Sequence, residues 1–264
     1  MNILEQIIAH KKTEVEERKK QKSIAELEKG PFFRNETLSL KKFLLDPSRT
    51  GIIAEYKRKS PSRGIINDKV SVADVTTAYA NNGASGISVL TDKEFFGGSL
   101  GDLLAATVNE VPLLRKDFMI DEYQLVEAKS YGAEVILLIA ACLSPERVEQ
   151  LARIAKNLGM EVLLEIHNDK ELDHICEEVD MVGVNNRNLK TFEVNIQTSL
   201  DLIQKIPQSK LAVAESGISG VETIVTLKRA GFKGFLIGEN FMKHPQPAIA
   251  FADFVKQLKA AYED

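Results

Sequence analysis

Strand-length apolar runs alternate with helix-length segments eight times along the chain, which predicts an α/β protein built as a closed parallel (β/α)8 barrel with an N-terminal helical extension. Two further observations favour this fold. The chain has 264 residues, about the size of one such barrel. Polar or ionisable residues also stand at the C-terminal ends of several of the apolar runs, the edge where barrels carry their sites. An open sheet that held a nucleotide would show a glycine-rich first turn, but neither G-x-G-x-x-G nor G-x-x-x-x-G-K-[ST] occurs.

The elements follow in order. Residues 1–50 read as an extension packed on a single barrel domain spanning 1–264. Met1 to Lys22 is an amphipathic helix with a narrow stripe of Ile3, Leu4, Ile7, Ile8 and Val15. Its Lys/Glu run from Lys11 reads as a solvated face, with docking to a partner as the sharper alternative. The apolar runs are too short for a signal or a membrane span, and the acidic residues disfavour a transit peptide. From Gly51 the predicted strands are 51–54, running into Glu55, then 86–91, 111–116, 134–139, 161–165, 181–185, 210–215 and 234–238. Helices are expected over 72–82, 99–108, 121–129, 144–158, 168–177, 196–205, 220–230 and 245–262. Ser144 is a natural N-cap ahead of Pro145 at the first helical position, and Gly159 suits a left-handed stop.

Composition narrows the function. Lys plus Arg number 34 against 38 Asp plus Glu, a formal net charge of −4, which speaks against a broad nucleic-acid surface. Cys142 and Cys176 lack metal-ligand spacing and read as structural thiols in a reducing cytoplasm. His10, His167, His174 and His244 lie in helical or connecting segments without ligand spacing, so no metal is expected.

The chemistry concentrates at the strand ends. Glu55 and Lys57 are two positions apart, so an extended chain turns both towards one face. Lys116, Glu165, Asn185 and Glu215 close four other strands, and Arg187 follows two residues after Asn185. An unpaired buried charge costs several kcal/mol, so such a set must pair with itself, and pairing drives individual pKa values apart. A lysine brought down to about 7 or 8 would serve as a general acid or base. A structural salt-bridge network would explain any one of these residues more easily than all of them together. Two glycine-containing turns, Glu215–Gly220 and Gly238–Met242, follow the seventh and eighth strands, where barrels commonly bind phosphate through backbone N–H groups. Tight turning alone would explain either one. Ser60 and Ser62 offer further donors beyond the first strand.

Five ordered segments carry a resemblance: Ile53–Ser62, Leu114–Phe118, Leu163–Ile166, Gly183–Leu189 and Ala214–Ile218. Together they resemble the indole-3-glycerol-phosphate synthase family of tryptophan biosynthesis over essentially the whole chain. Asn188 departs from the aspartate usual at that position, which is expected to alter loop hydrogen bonding and leave the chemistry intact. The resemblance implies a lyase that closes 1-(2-carboxyphenylamino)-1-deoxyribulose 5-phosphate to indole-3-glycerol phosphate, releasing carbon dioxide and water without metal or redox cofactor. By motif position it makes Lys116 the general acid, Lys57 a positioning group and second acid, and Glu55 and Glu165 the candidate bases. Asn185 and Arg187 would hold polar groups of the substrate, and Glu215 would orient sugar hydroxyls or a lysine. Ser216, Gly217, Gly238 and Glu239 would bind phosphate, with Ser60 nearby, and Phe96, Phe118, Leu137 and Leu189 would wall the ring pocket. The implied partner is a small phosphorylated molecule, and neither nucleic acid nor membrane is expected. The oligomeric expectation is a monomer or weak homodimer. A Schiff-base aldolase acting on a phosphorylated ketose and a non-catalytic phosphometabolite-binding barrel stand as alternatives.

Overall fold

The computed structural model describes residues 2–189 and 191–263. Its centre is a closed barrel of parallel strands: β1 (Ile52–Tyr56), β2 (Gly86–Leu90), β3 (Leu113–Lys116), β4 (Val135–Ile139), β5 (Glu161–Ile166), β6 (Met181–Asn185), β7 (Leu211–Glu215) and β8 (Gly234–Ile237). Each strand pairs with its sequence neighbours, and β1 closes the ring against both β2 and β8. This is the TIM-barrel arrangement that the alternation predicts.

Strand periodicity divides the core in two. Ile53, Leu114, Leu137, Leu163, Met181 and Val213 face inward and pack together. Their neighbours Ile52, Ala54, Ile136, Leu138, Val162 and Val182 face outward into the layer beneath the helices. The same alternation carries up each strand, so the inward positions above the apolar layer are those of Glu55, Lys116, Glu165, Asn185 and Glu215. The barrel floor therefore positions the rim.

The outer ring comprises α4 (Val72–Asn81), α5 (Leu100–Ala106), α6 (Glu122–Ser130), α7 (Pro145–Asn157), α8 (Gln197–Leu202), α9 (Val221–Ala230), α10 (Glu239–Met242) and α11 (Pro247–Glu263). Helix α7 starts as its sequence predicts: Ser144 accepts from the Arg147 N–H, Pro145 opens the first turn, and Val148, Leu151, Ala152 and Ala155 form the buried stripe. One predicted helix is absent. Residues 168–177 form only a short 3-10 segment, Asp169–His174, so β5 is not followed by an α-helix. No residue of that segment is fully buried, and without an apolar stripe the local chain has little to hold a longer helix in place.

The extension closes both ends of the barrel. Helix α1 (Ile3–Gln21) begins with a capping box between Asn2 and Glu5; the predicted start at Met1 lies outside the described residues. It crosses the mouth with Ile3, Leu4 and Ile7 lining the central cavity. Its Lys/Glu run is not simply a solvated face: Lys11 is 1% exposed and pairs with Asp92 at 2.8 Å and Asp117 at 2.9 Å. After the single turn α2 (Ile24–Leu27), helix α3 (Leu40–Leu45) plugs the opposite end with Leu40 and Leu44. At Gly86 a Cβ would stand 2.6 Å from Leu40 Cδ1, so the missing side chain makes room for the plug. The start of α3 and the chain before it are tied to the barrel floor by Glu134 and Glu161, whose carboxylates accept from the Leu38 and Lys41 N–H groups. Cys142 and Cys176 are free thiols, each half-buried. Among the described residues, no helix is long and apolar enough to cross a membrane.

Leu40 is fully buried among the inward-facing side chains, so Leu40→Ala should remove both transfer energy and packing. The expected loss is about 2–5 kcal/mol, read from the urea midpoint at unchanged slope.

Candidate active site

The barrel mouth holds a cavity of about 410 Å³, and every residue predicted for the site lines it. At its base Lys116, ending β3, donates from Nζ to Glu165 Oε2 at 2.9 Å and to Glu215 Oε2 at 2.7 Å. Strand register sets this geometry. Glu165 of β5 lies beside Gly183 of β6, and Asn185 of β6 lies beside Glu215 of β7. A Cβ on Gly183 would fall 2.2 Å from Glu215 Oε1, so Glu215 occupies space that only glycine leaves open. Asn185 Nδ2 donates to Glu165 Oε1 at 3.1 Å, and Asn185 Oδ1 accepts the Arg187 N–H at 3.0 Å.

The second pair belongs to β1 and the chain just beyond it. Lys57 Nζ contacts Glu55 Oε1 at 2.8 Å. Gly238, just past β8, faces Glu55 so closely that a Cβ there would lie 2.5 Å from Glu55 Oε1. Gly238 therefore serves the approach of Glu55 as well as the turn into α10. On the other flank, Ser216 and Gly217 both have left-handed φ values, 64° and 74°. Glycine takes that conformation freely and serine does not, so the turn after β7 is held in an uncommon shape at the cavity wall.

Glu239 lies between two arginines. Its Oε1 accepts from Arg63 Nε at 2.9 Å, and its Oε2 accepts from Arg187 Nη2 at 3.4 Å. Arg187 also reaches the Phe192 carbonyl at 3.3 Å, and the Asn188 side chain accepts from the Thr191 N–H at 3.2 Å, so Asn188 orders the turn beyond β6. Ser60 and Ser62 stand 3.4 Å apart at their hydroxyls. Opposite the polar groups, the rings of Phe96 and Phe118 meet at 6.0 Å between centroids, and Leu137 and Leu189 complete an apolar wall.

The electrostatics depart from one expectation. Burial alone would lower the Lys116 pKa, but Glu165, Glu215 and Glu55 outweigh it, so the ammonium is held well above its ordinary range. The downshifted lysine suggested by the sequence is not found here. The two carboxylates facing that amine divide instead. Burial would raise Glu165, but Lys116 and His167 hold it well below the usual carboxylate range. Burial, helped by the neighbouring Glu165 charge, raises Glu215 to about 7 against the pull of Lys116. Geometry gives the reason: Glu165 has Lys116, Asn185 and His167 around it, whereas Glu215 Oε1 has no hydrogen-bond partner among the described residues.

Several cavity residues escaped sequence reasoning. Ile3, Leu4 and Ile7 come from α1, and Arg63 and Lys243 from loops. His167, read as an ordinary connecting residue, stands 3.2 Å from Glu165. Its position two residues beyond Glu165 was the available signal, since extended chain returns to the same face at that spacing.

Glu215 yields a stability prediction. Its folded pKa of about 7 lies above the ordinary 4.5, so the folded chain binds a proton that the unfolded chain releases. The group's contribution is fully present below about 4.5 and is lost as pH rises through about 7. Glu215→Gln should flatten that fall, seen as a weaker decline of the melting temperature than in the wild type across this window.

Comparison with known proteins agrees with the geometry. The family model for indole-3-glycerol phosphate synthase matches residues 4–254. A protein of that name from Bacteroides thetaiotaomicron is 47% identical over 259 residues, covering 98% of this chain and 99% of its own. Another from Salinibacter ruber is 43% identical over 256 residues, covering 96% and 94%. Among solved structures, a tryptophan synthase complex from Pyrococcus furiosus aligns with a TM-score of 0.60 at 17% identity, over 81% of this chain and 98% of that one, a likeness of fold. Charged strand ends, paired glycine turns and full-length kinship converge, and the chain belongs to the indole-3-glycerol phosphate synthase family.

Proposed function

We propose that the mouth binds 1-(2-carboxyphenylamino)-1-deoxyribulose 5-phosphate and closes it to indole-3-glycerol phosphate, with carbon dioxide and water released by general acid–base catalysis. The observation that carries this reading is the Lys116 ammonium held between Glu165 and Glu215, with an aromatic wall on one side and the turns after β7 and β8 on another.

Ring closure needs a proton donor at the sugar carbonyl as the arylamine carbon attacks. Lys116 is that donor, because its carboxylate neighbours keep it protonated. Glu215 stands 2.7 Å from the amine and holds a proton near neutrality, so it can reload Lys116 after transfer. Loss of carbon dioxide from the attacking carbon restores the benzene ring, and Glu55 and Glu165 are the candidate bases for the proton released as the hydroxyl departs and the indole forms. Lys57, paired with Glu55, positions the substrate and protonates the departing hydroxyl. Asn185 and Arg187 hold its polar groups.

The phosphate is assigned to Ser216, Gly217, Gly238 and Glu239, with Ser60 beside them. Helix α10 begins at Glu239, and N–H groups of a first turn have no acceptor within their own helix. The substrate ring lies against Phe96, Phe118, Leu137 and Leu189. Conversion of the anthranilate-derived substrate, followed by indole fluorescence, tests the reaction directly.

Lys116→Met should lower turnover by about 10²–10⁴-fold, the range of one positioned acid, while binding of substrate persists in equilibrium titration. Near-normal turnover would remove Lys116 from the role. Inorganic phosphate should inhibit competitively against substrate, and purely noncompetitive inhibition would count against the phosphate assignment. Borohydride added during turnover should trap no adduct; a trapped lysine would favour the Schiff-base alternative.

A further inference from the structure

Both ring nitrogens of His167 face carboxylates. Nε2 lies 3.2 Å from Glu165 Oε1, and Nδ1 lies 3.2 Å from Glu171 Oε2. Glu171 is fixed in turn, because it accepts the His167 backbone N–H at 2.7 Å and the Asn168 amide at 2.9 Å. The His167 side chain is only 10% exposed. A neutral imidazole offers one N–H and one lone pair, so it would turn a lone pair towards one of the two carboxylates in a nearly dry setting. Only the imidazolium presents a proton to both. The Nε2 approach to Glu165 is off the hydrogen-bond line, so this contact acts through charge.

We propose that His167 is a positioning residue, held as the imidazolium by Glu171, whose fixed charge keeps Glu165 ionised and aimed at Lys116. The proposal rests on the assignment of Glu165 as a working base. It supplies something that Lys116 cannot. When Lys116 gives up its proton its charge disappears, and Glu165 would then be left with the neutral Asn185 amide alone. His167 does not line the cavity and takes no part in that transfer, so its charge persists through the cycle.

Among the described residues, the charged and titratable groups around His167 and Glu165 are Lys116 on β3, Glu215 on β7, Glu171 in the 3-10 segment and Cys142 beyond β4, whose thiol is shifted up by burial and by Glu165 and Glu171. Burial would push the His167 pKa down, but Glu165 and Glu171 outweigh it and raise it to about 10.

Nuclear magnetic resonance of imidazole-labelled protein tests this without activity. The His167 signals should stay those of an imidazolium from pH 5 to 9, and Glu171→Gln should bring their midpoint down. A His167 that titrates near its ordinary value of about 6.5 in the wild type would overturn the proposal. Kinetics add a second readout. His167→Gln keeps a donor but loses the charge, so kcat should fall at least about tenfold with KM within about twofold. Glu165 then loses a cation that lowers its pKa, so the acidic limb of the kcat profile should move to higher pH. Unchanged kcat with an unmoved limb would also overturn the proposal. If His167→Gln does not fold, Glu171→Gln carries the test. Its profile should gain a loss of activity at the pH where His167 deprotonates, and a profile identical to the wild type would refute the idea. Failure of the wild type to form indole product would instead sink the proposed reaction, leaving the resonance result to stand separately.

Discussion

One amine shared by two buried carboxylates is the constraint on which the mouth of this barrel depends. Lys116, Glu165 and Glu215 each stand at the end of a different strand, on side chains that are 14%, 4% and 2% exposed. None is tolerable there alone, because removing one member of a buried pair commonly costs about 3–5 kcal/mol. The arrangement is therefore stable as a set and uncomfortable in any part. That condition also makes it chemically useful, since a proton shared among unequal partners moves when a substrate changes the balance. The inequality is built in: among the described residues Glu165 has several donors around it and the Glu215 side chain only the amine.

Holding those strand ends in register falls to packing at both ends of the barrel. Below, Leu40 and Leu44 of α3 fill the floor beneath the inward-facing aliphatic layer. Above, Lys11 of α1 joins Asp92, just after β2, to Asp117, the residue following Lys116. Arg115 on β3 also pairs with Asp117 and with Glu127 of α6, and Arg18 of α1 meets Glu127 as well. Helix α1 is thus bound to the strand that carries the central amine by a buried ionic lattice. That network and the packing of Val15 against Tyr123 and Val126 hold the helix so that Ile3, Leu4 and Ile7 reach the cavity.

This division explains what could be read from the chain. Strand positions were legible because alternation and apolar run length act over neighbouring residues, and Met181–Asn185 falls where the pattern predicts. The rim residues were legible for the same reason, since period two assigns Glu55, Lys116, Glu165, Asn185 and Glu215 to the inward face. Partnership was not legible. Lys11 looked like one more member of a solvated Lys/Glu face, because its partners lie about 80 and about 105 positions away, at a distance only the closed barrel removes. The 3-10 segment after β5 escaped because a charge-rich stretch with scattered apolar residues suits either a helix or a short turn until burial decides. His167 escaped with it, as its meaning depends on Glu171 being folded back against it.

Glycine shows how far the two levels interlock. For Gly238 the sequence suggested a tight turn or anion approach, both of which treat the residue in isolation, and Gly183 drew no reading of its own. In the barrel each lies beside a carboxylate from an adjoining strand, Glu215 in one case and Glu55 in the other. A side chain at either position would displace the carboxylate first and the backbone second. The rim carboxylates and the small residues facing them are therefore one packing solution: the space that admits a charged side chain to the inside of the barrel is provided by the strand next to it. Any rearrangement of the carboxylates must keep that complementarity, which limits the rim to a few discrete arrangements and makes the positions of its charges as well defined as those of the apolar core beneath.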